Sequence, residues 1–198
     1  PKDPTENTDG VEAFRLRFFP SSSLALWGWV MNDESDTLSY GGRGELSTSL
    51  GEWGYTLHYA PVDSNTKFGV DFRYDGFLGL WFEGVGSISE SQNISQNREA
   101  LMTLGSDYTF PMGAGLLVML EIMRIEEWSS KMDASSNHTI SALMANYPIG
   151  MLHNIMLLST LDWDENTAYN YLRWSRMYDH FSINCIVSIN PSSIANSL

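Results

Sequence analysis

The chain has 198 residues, enough for one sizeable domain. Acidic side chains outnumber basic ones, 24 to 11, for a formal net charge of -13; with no Lys/Arg cluster anywhere, a nucleic-acid surface is excluded. The single cysteine, Cys185, rules out an internal disulfide, and no Cys/His spacing marks a metal or cofactor site.

The opening Pro1-Lys2-Asp3-Pro4 is followed by no apolar stretch of the signal-peptide kind, as in a mature or trimmed chain. A transmembrane helix needs about 20 consecutive apolar residues. The longest candidate, Gly113 to Met123, is shorter and contains Glu121. Aromatic residues make up 13% of the chain and charged residues only 18%. That balance suits an outer surface facing lipid, with Trp and Tyr at its interfaces.

In chain order the dominant period is two, the signature of half-buried strands. Phe14, Leu16 and Phe18 alternate with Arg15 and Arg17. Leu24 to Met31 is apolar on both faces and reads as a buried strand. Phe68, Val70, Phe72 and Tyr74 alternate with Lys67, Gly69, Asp71 and Arg73. Ala100 to Phe110 alternates in the same way. Leu116 to Ile125 is again apolar on both faces. A helix over Leu116 to Glu127 is the rival reading, given good helix formers, but the Gly-rich stretch before it reads as a hairpin turn. Ile155 to Trp163 and Phe181 to Ile189 complete the series.

Short connections are expected at Pro20–Ser23, Gly51–Trp53, Tyr74–Gly76, Pro111–Ala114, Pro148–Gly150 and Met177–His180. Longer polar ones alternate with them at Asn32–Gly41, Pro61–Thr66, Ser89–Asn97, Ser129–Asn137 and Asp164–Thr167. The pattern predicts one all-β domain over 1–198, an antiparallel up-and-down transmembrane β-barrel, with 1–10 as loop or linker and 191–198 as tail. About twelve strands of roughly ten residues are expected, long enough to cross a bilayer at a tilt. Closure is expected because an open edge would leave backbone groups unpaired in hydrocarbon. If the short turns are periplasmic, both ends of this stretch lie outside. A strand missing at each end accounts for that, giving a barrel of about fourteen strands or more.

Pro1-Lys2-Asp3-Pro4-Thr5, the following Asp9-Gly10-Val11-Glu12-Ala13-Phe14-Arg15-Leu16-Arg17, and the hairpin Asp107 to Leu116 carry a family likeness. They resemble segments of poorly characterised bacterial outer-membrane β-barrel (porin-like) proteins. The resemblance implies a barrel in the bacterial outer membrane, of which this chain is the C-terminal part. It implies no catalytic residue and no particular cargo.

Alternation places Arg15, Arg17, Glu45, His58, Asp71, Arg73, Glu83, Asp107, Glu121, Asp162 and Arg173 on the lumen side. Charges there would set the selectivity of a pore; equally, they would pair across strands and fill a small barrel. Among the seven tryptophans, which mostly fall near expected strand ends, Trp53, Trp128, Trp163 and Trp174 are the candidates for an interfacial girdle. The acidic runs Asp33-Glu34-Ser35-Asp36 and Asp162-Trp163-Asp164-Glu165 could attract divalent cations, but spacing alone implies no fixed ligand geometry.

No enzyme is expected: Asp179-His180 near Ser182 lies within one short stretch, and no Gly-x-Ser-x-Gly elbow exists. The expected function is a porin-like channel or uptake pore, with lipid bilayer, lipopolysaccharide and small solutes as partners. A soluble calycin-like barrel, its apolar face turned inward around a ligand, is one alternative. A structural barrel seating a protein partner, or a homo-oligomer, is another.

Overall fold

The computed structural model describes residues 12–32, 37–62, 64–91, 95–129 and 134–190. The expected loop over 1–10, the acidic run at 33–36 and the tail over 191–198 lie outside them. The described residues form twelve strands: β1 (Glu12–Ser21), β2 (Leu24–Asn32), β3 (Leu38–Thr48), β4 (Gly51–Ala60), β5 (Asn65–Asp75), β6 (Gly79–Ser91), β7 (Ser95–Phe110), β8 (Leu116–Ser129), β9 (Ala134–Ile149), β10 (His153–Asp162), β11 (Thr167–Met177) and β12 (Ser182–Ile189). Each pairs antiparallel with the next, in the order β1 to β12. Leu116 to Glu127, where a helix was the rival, is strand; its flanking Gly113 adopts φ 57° in the turn, as glycine readily does.

The twelve antiparallel up-and-down strands are as expected, and closure is not reached within them. The sheet is open: β1 pairs only with β2 and β12 only with β11 among the described residues. A meander grows by adding strands at its free edge, and it closes only when accumulated tilt and stagger bring the last edge back to the first. That return does not occur within these strands. The free edge at β1 also tolerates Pro20 beside a register shift after Phe18, since proline cannot donate to a ladder.

One expectation about loop lengths needs correction. Several connections expected to be long are partly strand: β6 runs to Ser91 and β7 starts at Ser95, already paired with it. Leu38 to Gly41 belong to β3, and the turn expected at Gly51–Trp53 sits before Gly51. Ladder bonds are made by backbone, so polar side chains do not stop a strand. As a result β6 to β9 reach past their neighbours at the rim where β6 meets β7.

The register sorts side chains onto two unlike faces. Phe14, Leu16 and Phe18 share one face with Leu26, Tyr55, Leu57, Phe68, Leu104, Ile122 and Leu157. All of these are exposed. The opposite face carries most of the charge and is the more crowded. Along β4, Thr56 and His58 are partly buried while Tyr55 and Leu57 are exposed; along β8, Met119, Glu121 and Met123 are partly buried while Leu120 and Ile122 are exposed. Crowding on the charged face is what a sheet curved towards that face produces.

The described residues form no conventional core. Ala25 is the one buried apolar residue among those described, and no large side chain is fully buried. The accessible surface is 14785 Å², against about 9,400 Å² expected for a compact soluble protein of this mass.

Candidate functional site

The charged face is assembled row by row across the ladders. Arg15, Trp29, Gly41 and His58 form one row, and Arg17, Trp27, Arg43 and Thr56 the next. Glu45, Gly54, Asp71, Glu83, Thr103 and Met123 continue across the sheet, followed by Ile140 and Asp162. Arg73, Trp81, Gly105 and Glu121 make a further row. Asp107 pairs with Gly79 and Met119, and Arg173 with Met156 and Ile186, on the same face. The register thus places all the candidate charged residues named from alternation on one face.

The centre of its N-terminal half is Arg43, which the sequence reading passed over. Its guanidinium donates to both carboxylate oxygens of Asp71, at 2.7 and 2.8 Å. It also donates to Glu45 Oε1 at 2.9 Å and Thr56 Oγ1 at 3.0 Å. Glu45 in turn lies 3.7 Å from Arg17. Charge-assisted, bidentate pairing of this kind fixes geometry as well as energy. Gly54 makes the space: a Cβ there would collide with Arg43 and Asp71. The missed signal was Arg43 and Glu45 two apart, on one face of a strand; the surrounding glycines masked it as turn sequence.

Tryptophans divide between the faces. Trp53 packs on Phe72, ring centroids 4.3 Å apart, and Trp174 near His153; both belong to the apolar face at the rim of the β3–β4 and β11–β12 turns. Trp128 and the exposed Trp163, whose Nε1 donates to Ser141 Oγ, stand at the other rim of that face. Trp27, Trp29 and Trp81, grouped with them as aromatics near strand ends, face the charged side instead. Trp27 lies under Arg15 and Arg17, at 5.0 and 4.2 Å. Trp29 Nε1 donates to His58 Nδ1 at 3.2 Å and Trp81 Nε1 to Glu121 Oε2 at 3.3 Å. An indole N–H needs an acceptor when removed from water, and the charged face supplies one to Trp29 and Trp81.

Charge on this face is laterally segregated. Arg15, Arg17, Arg43, Lys67 and Arg73 lie in β1 to β5, most of them balanced by Glu45, Asp71 or Asp75, or stacked on an aromatic ring. From β6 to β10 the described residues of this face include no Lys or Arg, but Glu83, Glu99, Asp107, Glu121, Glu127 and Asp162.

At one turn His138 lies 3.4 Å from Asp162 and 3.0 Å from Asp164. These form the one group of three metal-capable side chains among the described residues. Their oxygens already hold the β10–β11 turn: Asp164 accepts from the Thr139 amide, and Asp162 from the amides of Asp164 and Glu165. Comparisons with protein-family models, curated proteins and solved structures find no match to this chain.

Proposed function

We propose that this chain forms a large part of the wall of a bacterial outer-membrane β-barrel, a porin-like channel whose charged face lines the passage for small solutes. The observation that carries the reading is the inversion of faces: the more crowded face bears the charge, and the exposed face bears Phe14, Leu16, Leu57, Phe68, Leu104 and Leu157. A soluble calycin-like barrel requires the reverse. In water such an exposed apolar sheet is an aggregation surface; in a bilayer it is the lipid-facing band.

Tryptophans at both rims of the apolar face fit the aromatic girdles of such a band. Of its charged exceptions among the described residues, Glu12, Arg98, Glu126 and Arg176 lie within four residues of a strand end, and Arg124, further in, pairs with Glu126 at 2.7 Å. The free edges of β1 and β12 then pair with further strands, since open backbone groups in hydrocarbon cost several kcal/mol each. The likeness to outer-membrane porin-like proteins belongs to this same reading. Reconstituted into planar bilayers, the protein is expected to give stepwise conductance. A folded, membrane-inserted protein without conductance would instead favour the structural barrel that seats a partner.

A further inference from the structure

The acids of β6 to β10 stand at successive levels of the charged face rather than in one cluster. Asp107 lies level with Gly79 and Met119, close to the β7–β8 turn. Glu121 is one level further along, with Trp81 and Gly105. Glu83 is at the next, in the ladder row that also holds Asp162. Glu99 and Glu127, direct partners, sit level with Ser87 towards the opposite rim. Two residues along a strand rise about 6.8 Å, so the steps from Asp107 to Glu121 to Glu83 are shorter than the Debye length of about 8 Å at physiological ionic strength. The widest gap, at the level of Val85, Leu101 and Ile125, spans two such steps. Fields that overlap in this way form a negative stripe running from one rim towards the other.

The rest of the face does not cancel this stripe. In β1 to β5 the basic groups share the face with Glu45, Glu52, Asp71 and Asp75. Arg17, Arg43 and Arg73 are committed to three of those carboxylates, at 2.7 to 3.7 Å, and Arg15 stacks on Trp27. That half is therefore close to neutral. Beyond β5, Arg173 is the one Lys or Arg in the strands of this face among the described residues. The acid at the middle of the stripe is also held in place. Trp81 reaches over Gly105, where a Cβ would strike its ring, and its Nε1 donates to Glu121 Oε2 at 3.3 Å.

We propose that this stripe makes the passage cation-selective, with small cations travelling along the β6 to β10 side. No fixed ligand set is involved: the acids act through their summed field, which raises the local concentration of the opposite charge. The inference rests on the channel reading and deepens it by naming a solute class. The test is the reversal potential of the full chain in planar bilayers under a potassium chloride gradient. Potassium is expected to permeate at least about threefold better than chloride in dilute salt. At about 1 M salt the Debye length falls to about 3 Å, and the ratio should approach one. E83Q and E121Q should each lower the ratio while the protein keeps its folded gel mobility. E126Q, on the apolar face and paired with Arg124, should leave it unchanged. A channel that prefers chloride or neither ion, or whose ratio survives E83Q and E121Q together, overturns the proposal and leaves the channel reading standing. So does a ratio that shifts as much in E126Q as in E121Q. A protein that gives no current overturns both.

Discussion

Arg43 shows how a single side chain organises the charged face. Its guanidinium joins Asp71, Glu45 and Thr56 from three strands. R43Q is expected to lower folding stability by about 1–2 kcal/mol, the range for a charge-assisted bond, kept low because the Asp71 side chain is 39% exposed. Urea unfolding from lipid vesicles, followed by tryptophan fluorescence, reads the change. D71N in the same background should add less than its separate cost, because the two act as one unit. A second pair separates lipid from water as the surroundings of the apolar face. Leu57 on that face is 58% exposed, and Val85 on the charged face is 49% exposed. In water their replacement by Arg would cost similar amounts. With lipid against Leu57, L57R should cost about 2–4 kcal/mol and V85R little; equal costs in the same unfolding assay would argue against the assignment of faces.

At the scale of elements, the weak points are the two outer strands. Every residue of β1 and of β12 is exposed, and each strand is paired on one side only among the described residues. If both edges are covered in the membrane, their outward amides should exchange with deuterium nearly as slowly as those of β7 or β8, measured by mass spectrometry in nanodiscs. Fast exchange confined to β1 and β12 would mean the edges stay open. The strands themselves were legible in the sequence, because period-two alternation puts unlike side chains on opposite faces wherever one face is apolar. Phe68 to Tyr74 and Ala100 to Phe110 are strands for that reason. Strand ends were not legible. Ser89 to Ser91 and Ser95 to Asn97 read as loop, yet their ladder is backbone-made and continues. Nor did the sequence reading separate Trp27, Trp29 and Trp81 from the aromatics of the apolar face; a tryptophan looks the same in either role until register shows its neighbours.

At the scale of the molecule, the central fact is that the described residues form a sheet without a core. Ala25 alone among the described residues is a buried apolar residue, so burial within the chain contributes little of the usual driving force. Twelve strands of backbone bonding and the ion pairs of the charged face leave the exposed apolar surface unaccounted for in water. Under the proposed function, lipid would cover it, and a barrel completed by further strands would bring the side-chain sorting, the tryptophans at both rims and the charged face under one explanation. The most direct test is to express the protein behind a secretion signal, fractionate the membranes, and compare its gel migration before and after heating. This account predicts recovery in the outer-membrane fraction and a heat-modifiable band that unfolds only on boiling. A monomer soluble without detergent, with no shift on heating, would contradict it.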